Sequence, residues 1–175
     1  MKTPRPWVAG RAALLYQDNA RQLVLGLKHG QKTEIARAAG MWMQNAAKGI
    51  LHADALLVPI PLHWTRLLKR SFNQSAVLAN ALAKRTGHDV CPDLLLRHKR
   101  TVPLDQKSAQ ERFDVLQNSI RVNSRRALMA RNRRIILIDD VMTSGATLTA
   151  ATEACLAVGS GDVFVLTLAR VAKDA

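Results

Sequence analysis

Two patterns of hydrophobic and polar positions alternate along the chain. Predominantly apolar runs predict buried strands, and they occupy residues 12–16, 55–58, 135–138 and 163–169. Segments with apolar residues at helical spacing predict helices, and they occupy residues 18–28, 33–48, 73–86 and 146–158. Because strands and helices alternate, the pattern favours a parallel sheet covered by helices.

Capping signals support these helices. Asp18 is a suitable N-cap for the first helix, and Gly87 and Gly159 follow the third and fourth helices at positions where glycine ends a helix. The capping box Ser108-Ala-Gln-Glu111 predicts a further short helix.

Apolar residues make up 48% of the 175-residue chain, whereas aromatic residues make up only 4%. The core must therefore be built from Ala, Leu, Val and Ile, which suits parallel strands under Ala-rich helices. The length lies within the about 100–200 residues usual for one domain, and we find no repeat or linker. We expect a single domain over residues 1–175.

The cysteines and the apolar runs disfavour several classes of protein. Cys91 and Cys155 are far apart without a histidine cluster, so we expect two reduced thiols and neither a zinc site nor a disulfide framework. No apolar run approaches the about 18–20 residues of a transmembrane helix. Residues 1–7 lack the apolar stretch of a signal peptide. We expect a soluble, cytoplasmic protein with no membrane segment.

Positive charge is concentrated in one part of the chain. Lys and Arg number 26 against 13 acidic residues, a formal net charge of +13. Residues 97–134 contain eleven basic and three acidic residues, a net charge of +8. Such charge attracts phosphate-bearing ligands or nucleic acid. Because the aromatic residues are few and scattered and no nucleic-acid-binding motif is present, nucleic acid is only one of the candidate partners.

Residues 135–147 combine a strand, two acids, a loop of small residues and the start of a helix. The strand meets Asp139 and Asp140 at the carboxyl edge, where open α/β sheets bind ligands. The N–H groups and hydroxyls that follow suit a phosphate dianion, and they belong to Thr143, Ser144, Gly145, Ala146 and Thr147. Glycine in this loop permits close approach of the backbone and a positive φ.

The two carboxylates are expected to face away from that phosphate because like charges repel. They can accept hydrogen bonds from vicinal hydroxyls or hold a hydrated Mg²⁺. A phosphate at one end and a diol or metal at the other describe a ribose 5-phosphate. The alternative is that the acids merely end a strand and the loop merely caps a helix, since each feature alone is common.

The same stretch resembles the signature by which type I phosphoribosyltransferases bind 5-phosphoribosyl-1-pyrophosphate (PRPP). The resemblance implies a parallel, Rossmann-like sheet flanked by helices, with a mobile hood. It also implies that residues 143–147 bind the 5-phosphate and that Asp139 and Asp140 bind the ribose, and Mg²⁺ through water. The implied reaction transfers the 5-phosphoribosyl group to an acceptor, which the motif does not identify, and releases pyrophosphate. Related proteins are often homodimers.

Residues 57–74 contain LVPIPLH, then Arg66 and Lys69, and then RSFNQ. They resemble the ComF/GntX group of phosphoribosyltransferase-like proteins, which is associated with natural competence and DNA use. The resemblance implies that Arg70, Ser71 and Phe72 bind pyrophosphate, with Arg66 beside them. The alternative is a solvated basic helix face. The group usually has glycine at position 71, so serine strains the loop if a positive φ is needed there.

By the same resemblance, residues 97–122 form the hood, with Arg97, Lys99 and Thr101 over the ligand. Its positive charge suits closure over an anion. At three positions of this segment the group tends to have Gln, Leu and Asn, whereas this chain has Leu104, Lys107 and Val115. These differences favour an altered acceptor pocket. Group members often begin with a four-cysteine zinc module, which is not found here, so we expect no zinc.

Three functions compete at this point. The chain is a phosphoribosyltransferase, or a catalytically silent PRPP- or nucleotide-binding factor in DNA uptake, or a regulator that binds PRPP as a signal. The net charge of +13 and the departures in the loop and the hood motivate the second hypothesis, which a gel-shift titration of DNA across salt concentrations would test. An assay of pyrophosphate release with a panel of acceptors would settle more than any other single experiment.

Overall fold

The computed structural model describes residues 4–29, 32–62, 72–97 and 119–172. Their secondary-structure elements, in chain order, are β1 (Ala9–Leu15), α1 (Asp18–His29), α2 (Lys32–Ala46), β2 (Leu56–Pro59), α3 (Gln74–Thr86), β3 (Leu95–Arg97), β4 (Ile120–Val122), α4 (Ala127–Ala130), β5 (Ile135–Met142), α5 (Ala146–Ala157) and β6 (Val163–Arg170). Among these described elements, no helix has the length and apolar character needed to cross a membrane. The helix predicted at residues 108–111 lies outside the described residues.

Four strands form one parallel sheet in the order β1-β6-β5-β2. In its centre, Ile136 of β5 lies opposite Leu57 of β2 on one side and Phe164 of β6 on the other. Residues 135–138 and 163–169 are all buried, which explains why all of them except Thr167 are apolar: strands covered on both faces have no polar face to alternate with. The prediction of a parallel sheet flanked by helices is confirmed.

Two apolar layers cover the sheet. On one face, Ile136 packs in a cluster with Leu78 and Leu82 of α3, together with residues of α1 and α2. On the other face, Leu137 packs in a cluster with Leu148 of α5. Each fully buried leucine contributes roughly 1.5–3 kcal/mol to stability, so these layers hold the ends of α3 and α5 firmly against the sheet.

Both cysteines lie inside the second layer and are free. Burial raises the pKa of the Cys155 thiol to about 12. The two cysteines are therefore unpaired in this fold, and their reduced state stays a prediction.

The central strand is longer than its apolar run. β5 continues through Asp139 and Asp140 to Met142, because β6 continues beside it and pairs Asp139 with Thr167 and Met142 with Arg170. A neighbouring strand therefore extends the ladder into polar residues that hydrophobicity alone does not assign to a strand. The short elements β3, β4 and α4 were not predicted, since three or four residues are too few to show a period.

The predicted hood begins and ends in one small ribbon. β3 and β4 pair antiparallel, with Leu96 opposite Arg121 and Arg97 opposite Ile120. Leu95 and Ile120 anchor the ribbon in the apolar layer beneath α5. The two ends of the segment predicted as the hood are thus neighbours, fixed to the same face as the loop that starts α5.

Candidate functional site

The loop between β5 and α5 lines an open depression at the carboxyl edge of the sheet. Its empty volume is about 230 Å³, and its walls are formed by Asp139 and residues 141–148. Thr143 and Ser144 are exposed, whereas Gly145 is buried. The residues predicted to bind phosphate therefore surround a cavity and do not pack into the interior.

The start of α5 presents backbone donors to this depression. Gly145 has φ 82° and ψ 3°, a left-handed conformation that glycine adopts without strain. The first helical hydrogen bond runs from the Thr149 N–H to the Gly145 carbonyl at 2.9 Å. The N–H groups of residues 146–148 therefore precede the helical ladder. Ser144 Oγ accepts a long hydrogen bond of 3.4 Å from the Ala146 N–H. This geometry, with the helix dipole, suits an anion.

The two aspartates are half-buried and held by short hydrogen bonds. Asp139 Oδ1 accepts from the Asp140 N–H at 2.9 Å and from the Ser75 hydroxyl at 2.9 Å. Asp140 Oδ1 accepts from the Val141 N–H at 2.7 Å. β2 stops pairing with β5 at Ile138, opposite Pro59, and beyond that point the two aspartate side chains bind N–H groups of β5 itself. Their carboxylates therefore have defined orientations.

The sequence did not indicate Ser75, which belongs to the first turn of α3. Asn73 caps this helix: its Oδ1 accepts from the Ser75 N–H at 3.0 Å, and its Nδ2 donates to the Ile60 carbonyl at 2.9 Å. The cap therefore ties the start of α3 to the end of β2 and brings the Ser75 hydroxyl to Asp139. The only local signal was the Asn73 cap itself.

A second polar side chain lies beside the acid pair. Thr167 of β6 is the register partner of Asp139 and is fully buried. Its hydroxyl has no hydrogen-bond partner within the part of the chain that the structure describes.

Two residues ahead of β1 lie against the loop, and no sequence motif includes them. The Arg5 guanidinium fills the space that a Cβ at Gly145 would take, with Cζ 3.1 Å from that position and Nη1 nearer still. Trp7 Cη2 lies 3.3 Å from the same position. Arg5 Cζ also stands 5.2 Å from the centroid of the Trp7 ring, a cation–π contact.

Much of the predicted pyrophosphate site and hood lies outside the described residues. Phe72 is described and half-buried, directly ahead of the cap of α3. Arg97 is described as the last residue of β3 and is half-buried. The other predicted residues of these two sites, and the associated Lys69, fall in undescribed segments: Arg66, Lys69, Arg70, Ser71, Lys99 and Thr101.

Part of the basic segment is neutralised at some distance from the depression. Three ion pairs involve its arginines: Arg126 with Asp93 at 2.9 Å, Arg133 with Asp89 at 2.7 Å, and Arg134 with Asp54 at 3.1 Å. Hydrogen bonds from Arg134 and Arg126 hold the pKa values of Asp54 and Asp93 below their usual value. Arg134 directly precedes β5, about 16 Å from Asp139 at roughly 3.3 Å per residue. Because each of these arginines is paired with an aspartate, the three pairs together add no net positive charge.

The acid pair fits the hydrated mode of magnesium binding. Among the described residues, no three or more His, Cys, Asp or Glu side chains are grouped so that they could hold a metal ion by themselves. Mg²⁺ commonly keeps several waters and binds one or two carboxylates together with substrate phosphates. Asp139 and Asp140, half-exposed at an open edge, supply such a carboxylate pair.

No protein-family model matches the chain, but individual relatives align over most of it. The DNA utilization protein YhgH of Salmonella typhimurium is 28% identical over 176 residues, which covers 97% of this chain and 75% of the relative. Competence protein ComFC of Bacillus subtilis is 30% identical over 168 residues, which covers 91% of this chain and 63% of the relative.

A solved structure shares the fold. Glutamine PRPP amidotransferase from B. subtilis, complexed with ADP and GMP, aligns with a TM-score of 0.50 and 15% identity over 76% of this chain. This chain spans about a quarter of that protein, since the alignment covers 26% of it. The chain is a homologue of the YhgH and ComFC proteins and has the fold of the type I phosphoribosyltransferases.

Proposed function

We propose that the chain binds PRPP, or a related phosphorylated ribose, in the depression at the end of β5 and transfers its 5-phosphoribosyl group to an acceptor. One observation carries the proposal. The open start of α5 and the Asp139 carboxylate, which Ser75 orients, line the same depression, and Asp140 directly follows Asp139 on β5. A ribose 5-phosphate requires hydrogen-bond donors for its phosphate and, beside them, hydrogen-bond acceptors for its two ring hydroxyls.

In this proposal the 5-phosphate receives hydrogen bonds from the N–H groups of residues 146–148 and from the hydroxyls of Thr143, Ser144 and Thr147. Asp139 and Asp140 accept hydrogen bonds from the ribose hydroxyls. Ser75 holds the first of these carboxylates in place, which reduces the entropy lost when the sugar binds.

The proposed chemistry is a substitution at the anomeric carbon. The acceptor's lone pair attacks this carbon, the bond to the pyrophosphate oxygen breaks, and the acceptor releases its proton to water. The protein's part is to position the sugar and to offset charge around an oxocarbenium-like transition state. By family resemblance, Arg66, Arg70, Ser71 and Phe72 hold pyrophosphate. Mg²⁺, when bound, supplies charge neutralisation to the leaving pyrophosphate.

The hood completes the proposed site. By the same resemblance, Arg97, Lys99 and Thr101 cover the bound ligand, and exclusion of water there strengthens each charged contact. The position of Arg97 at the end of β3, on the ribbon anchored beneath α5, is compatible with this role.

Calorimetric titration with PRPP in the presence of Mg²⁺ tests the binding. The Asp139→Asn/Asp140→Asn variant should lose at least about tenfold in affinity, because hydrogen bonds to charged groups contribute roughly 1.5–3 kcal/mol each. Asp162→Asn is the matched control, since Asp162 is exposed just ahead of β6, at the opposite edge of the sheet. Unchanged affinity in the double variant would sink the proposal.

A second candidate is a catalytically silent factor that keeps this pocket and acts in DNA uptake or regulation. The names of the relatives YhgH and ComFC and the net charge of +13 favour it. The ion pairs of Arg126, Arg133 and Arg134 weaken the argument from charge. Pyrophosphate release with purine, pyrimidine or amine acceptors supports the enzyme. PRPP binding without release, together with a salt-resistant gel shift of DNA, supports the factor.

A further inference from the structure

We propose that Arg5 is a further ligand of the phosphate group that binds the β5–α5 loop, and that Trp7 is the platform that holds its guanidinium there. The inference rests on the proposed function, because it adds a residue to the same site. It assigns a role to the segment ahead of β1, which none of the sequence motifs includes.

The loop itself lacks a positive charge. Residues 139–148 contain two aspartates and no lysine or arginine. A phosphate dianion bound at the start of α5 would therefore lie near two carboxylates, with only N–H groups and hydroxyls to offset its charge. Arg5 supplies a cation that touches Gly145, a residue of the depression's wall. A guanidinium is also suited to binding two phosphate oxygens at once.

The side chain of Arg5 is available for such a ligand. It is exposed, and it forms no ion pair with any carboxylate in the described ranges, in contrast to Arg126, Arg133 and Arg134. Its Cζ stands 5.2 Å from the centroid of the Trp7 ring. A cation–π contact of this kind uses the charge of the guanidinium and leaves N–H groups able to donate to an anion.

The backbone around Arg5 is restrained before any ligand binds. Arg5 stands between Pro4 and Pro6, and a proline restricts its own φ and the conformation of the residue ahead of it. Trp7 packs against the apolar layer beneath α5, and the Val8 N–H donates to the Val163 carbonyl at 2.9 Å. Ordering Arg5 on a ligand therefore costs less entropy than ordering an unrestrained surface arginine.

The experiment compares Arg5→Ala and Arg5→Lys with Arg11→Ala. Arg11 is an exposed arginine of β1 that donates to the Gly10 carbonyl at 3.1 Å and lies outside the proposed site. Calorimetry measures the affinities for ribose 5-phosphate and, separately, for inorganic pyrophosphate. Arg5→Ala should weaken ribose 5-phosphate binding about tenfold or more, because a charge-assisted contact is lost. Arg5→Lys should fall between Arg5→Ala and the unmodified chain, and Arg11→Ala should match the unmodified chain.

Pyrophosphate affinity distinguishes a phosphate contact from a general change in charge. It should be unchanged in Arg5→Ala, since the residues predicted to bind pyrophosphate belong to a different segment of the sequence, residues 66–72. Equal ribose 5-phosphate affinity in Arg5→Ala and the unmodified chain overturns the inference and leaves the proposed function standing. Tighter binding of ribose 5-phosphate by Arg5→Ala also overturns the inference, because Arg5 would then obstruct the ligand. If the unmodified chain binds neither ribose 5-phosphate nor PRPP, the proposed function itself fails and this inference with it.

Discussion

Replacing Ser75 with alanine removes the hydroxyl that orients Asp139 and leaves the helix cap in place. Ser75 is 3% exposed, and its hydroxyl donates to Asp139 Oδ1 at 2.9 Å. The hydrogen bond from the Ser75 N–H to Asn73 uses the backbone and survives the substitution. The variant therefore isolates one contact between α3 and the acid pair.

The expected loss follows from the charge and exposure of the acceptor. A hydrogen bond to a charged group contributes roughly 1.5–3 kcal/mol. Asp139 is half-buried, so water replaces part of the lost bond and the free energy of unfolding should fall by about 1.5 kcal/mol. At roughly 2–4 °C per kcal/mol for a chain of this size, Ser75→Ala should melt roughly 3–6 °C lower. A carboxylate free to rotate should also bind PRPP up to about tenfold more weakly.

Thermal unfolding followed by circular dichroism measures the stability, and calorimetric titration measures the affinity. Ser160→Ala is the matched control, because the Ser160 hydroxyl donates to the neutral Gly161 carbonyl at 3.1 Å, beyond the far end of α5. Ser160→Ala should lower the free energy of unfolding by about 1 kcal/mol, and the affinity of this variant for PRPP should not change.

A double-mutant cycle of Ser75→Ala with Asp139→Ala gives the decisive result. If the hydroxyl acts on the Asp139 carboxylate, the two losses of stability should fail to add, because the second substitution removes a bond already broken. Losses that add within about 0.3–0.5 kcal/mol would mean that the two residues are independent. The reasoning about the orientation of the acid pair would then be wrong.

Three local features give further measurable outcomes. Gly145→Ala and Gly87→Ala should each lower the free energy of unfolding in urea by roughly 1–2 kcal/mol, because both glycines have a positive φ. Only Gly145→Ala should weaken PRPP binding, since Gly87 has open space around it. Equal PRPP affinities of the two variants would contradict this prediction. Arg126 lowers the folded-state pKa of Asp93 below 3.8, so the pair stabilises the fold above about pH 4 and this contribution is lost as pH falls through the lowered pKa. The melting temperature of Arg126→Ala should therefore fall less on acidification than that of the unmodified chain. An identical fall in both proteins would argue against a contribution from the pair. Burial raises the pKa of Cys155 to about 12, so iodoacetamide near neutral pH should label this thiol only after unfolding. Peptide mass spectrometry would measure the labelling, and rapid labelling of the folded protein would refute the burial.

The parallel sheet and the β5–loop–α5 unit could be predicted from the sequence because their signals are local. Four consecutive apolar residues at 135–138 report a strand buried on both faces. Gly145, with small polar residues ahead of it, reports the turn into a helix. The two carboxylates beside this turn extended the prediction to a ribose 5-phosphate, and the family resemblance identified that ligand as PRPP; both stay predictions.

The contacts that complete the site could not be predicted in this way. The Ser75 hydroxyl meets a carboxylate 64 positions away, and Arg5 meets Gly145 from the other end of the chain. A hydrophobic period reports which face of an element is buried, but it does not report which polar atoms meet after the elements pack. The pyrophosphate residues, the hood contacts, the single domain, the homodimer and the cytoplasmic location stay predictions.

The ribbon of β3 and β4 has a consequence for engineering. Because Arg97 and Ile120 face each other across it, the segment that joins them begins and ends at adjacent points of the fold. The closure entropy of a connecting segment grows only slowly with its length. Chimeras that exchange this segment among homologues should therefore fold on an unchanged scaffold, and such a library would test whether the segment predicted as the hood sets acceptor preference.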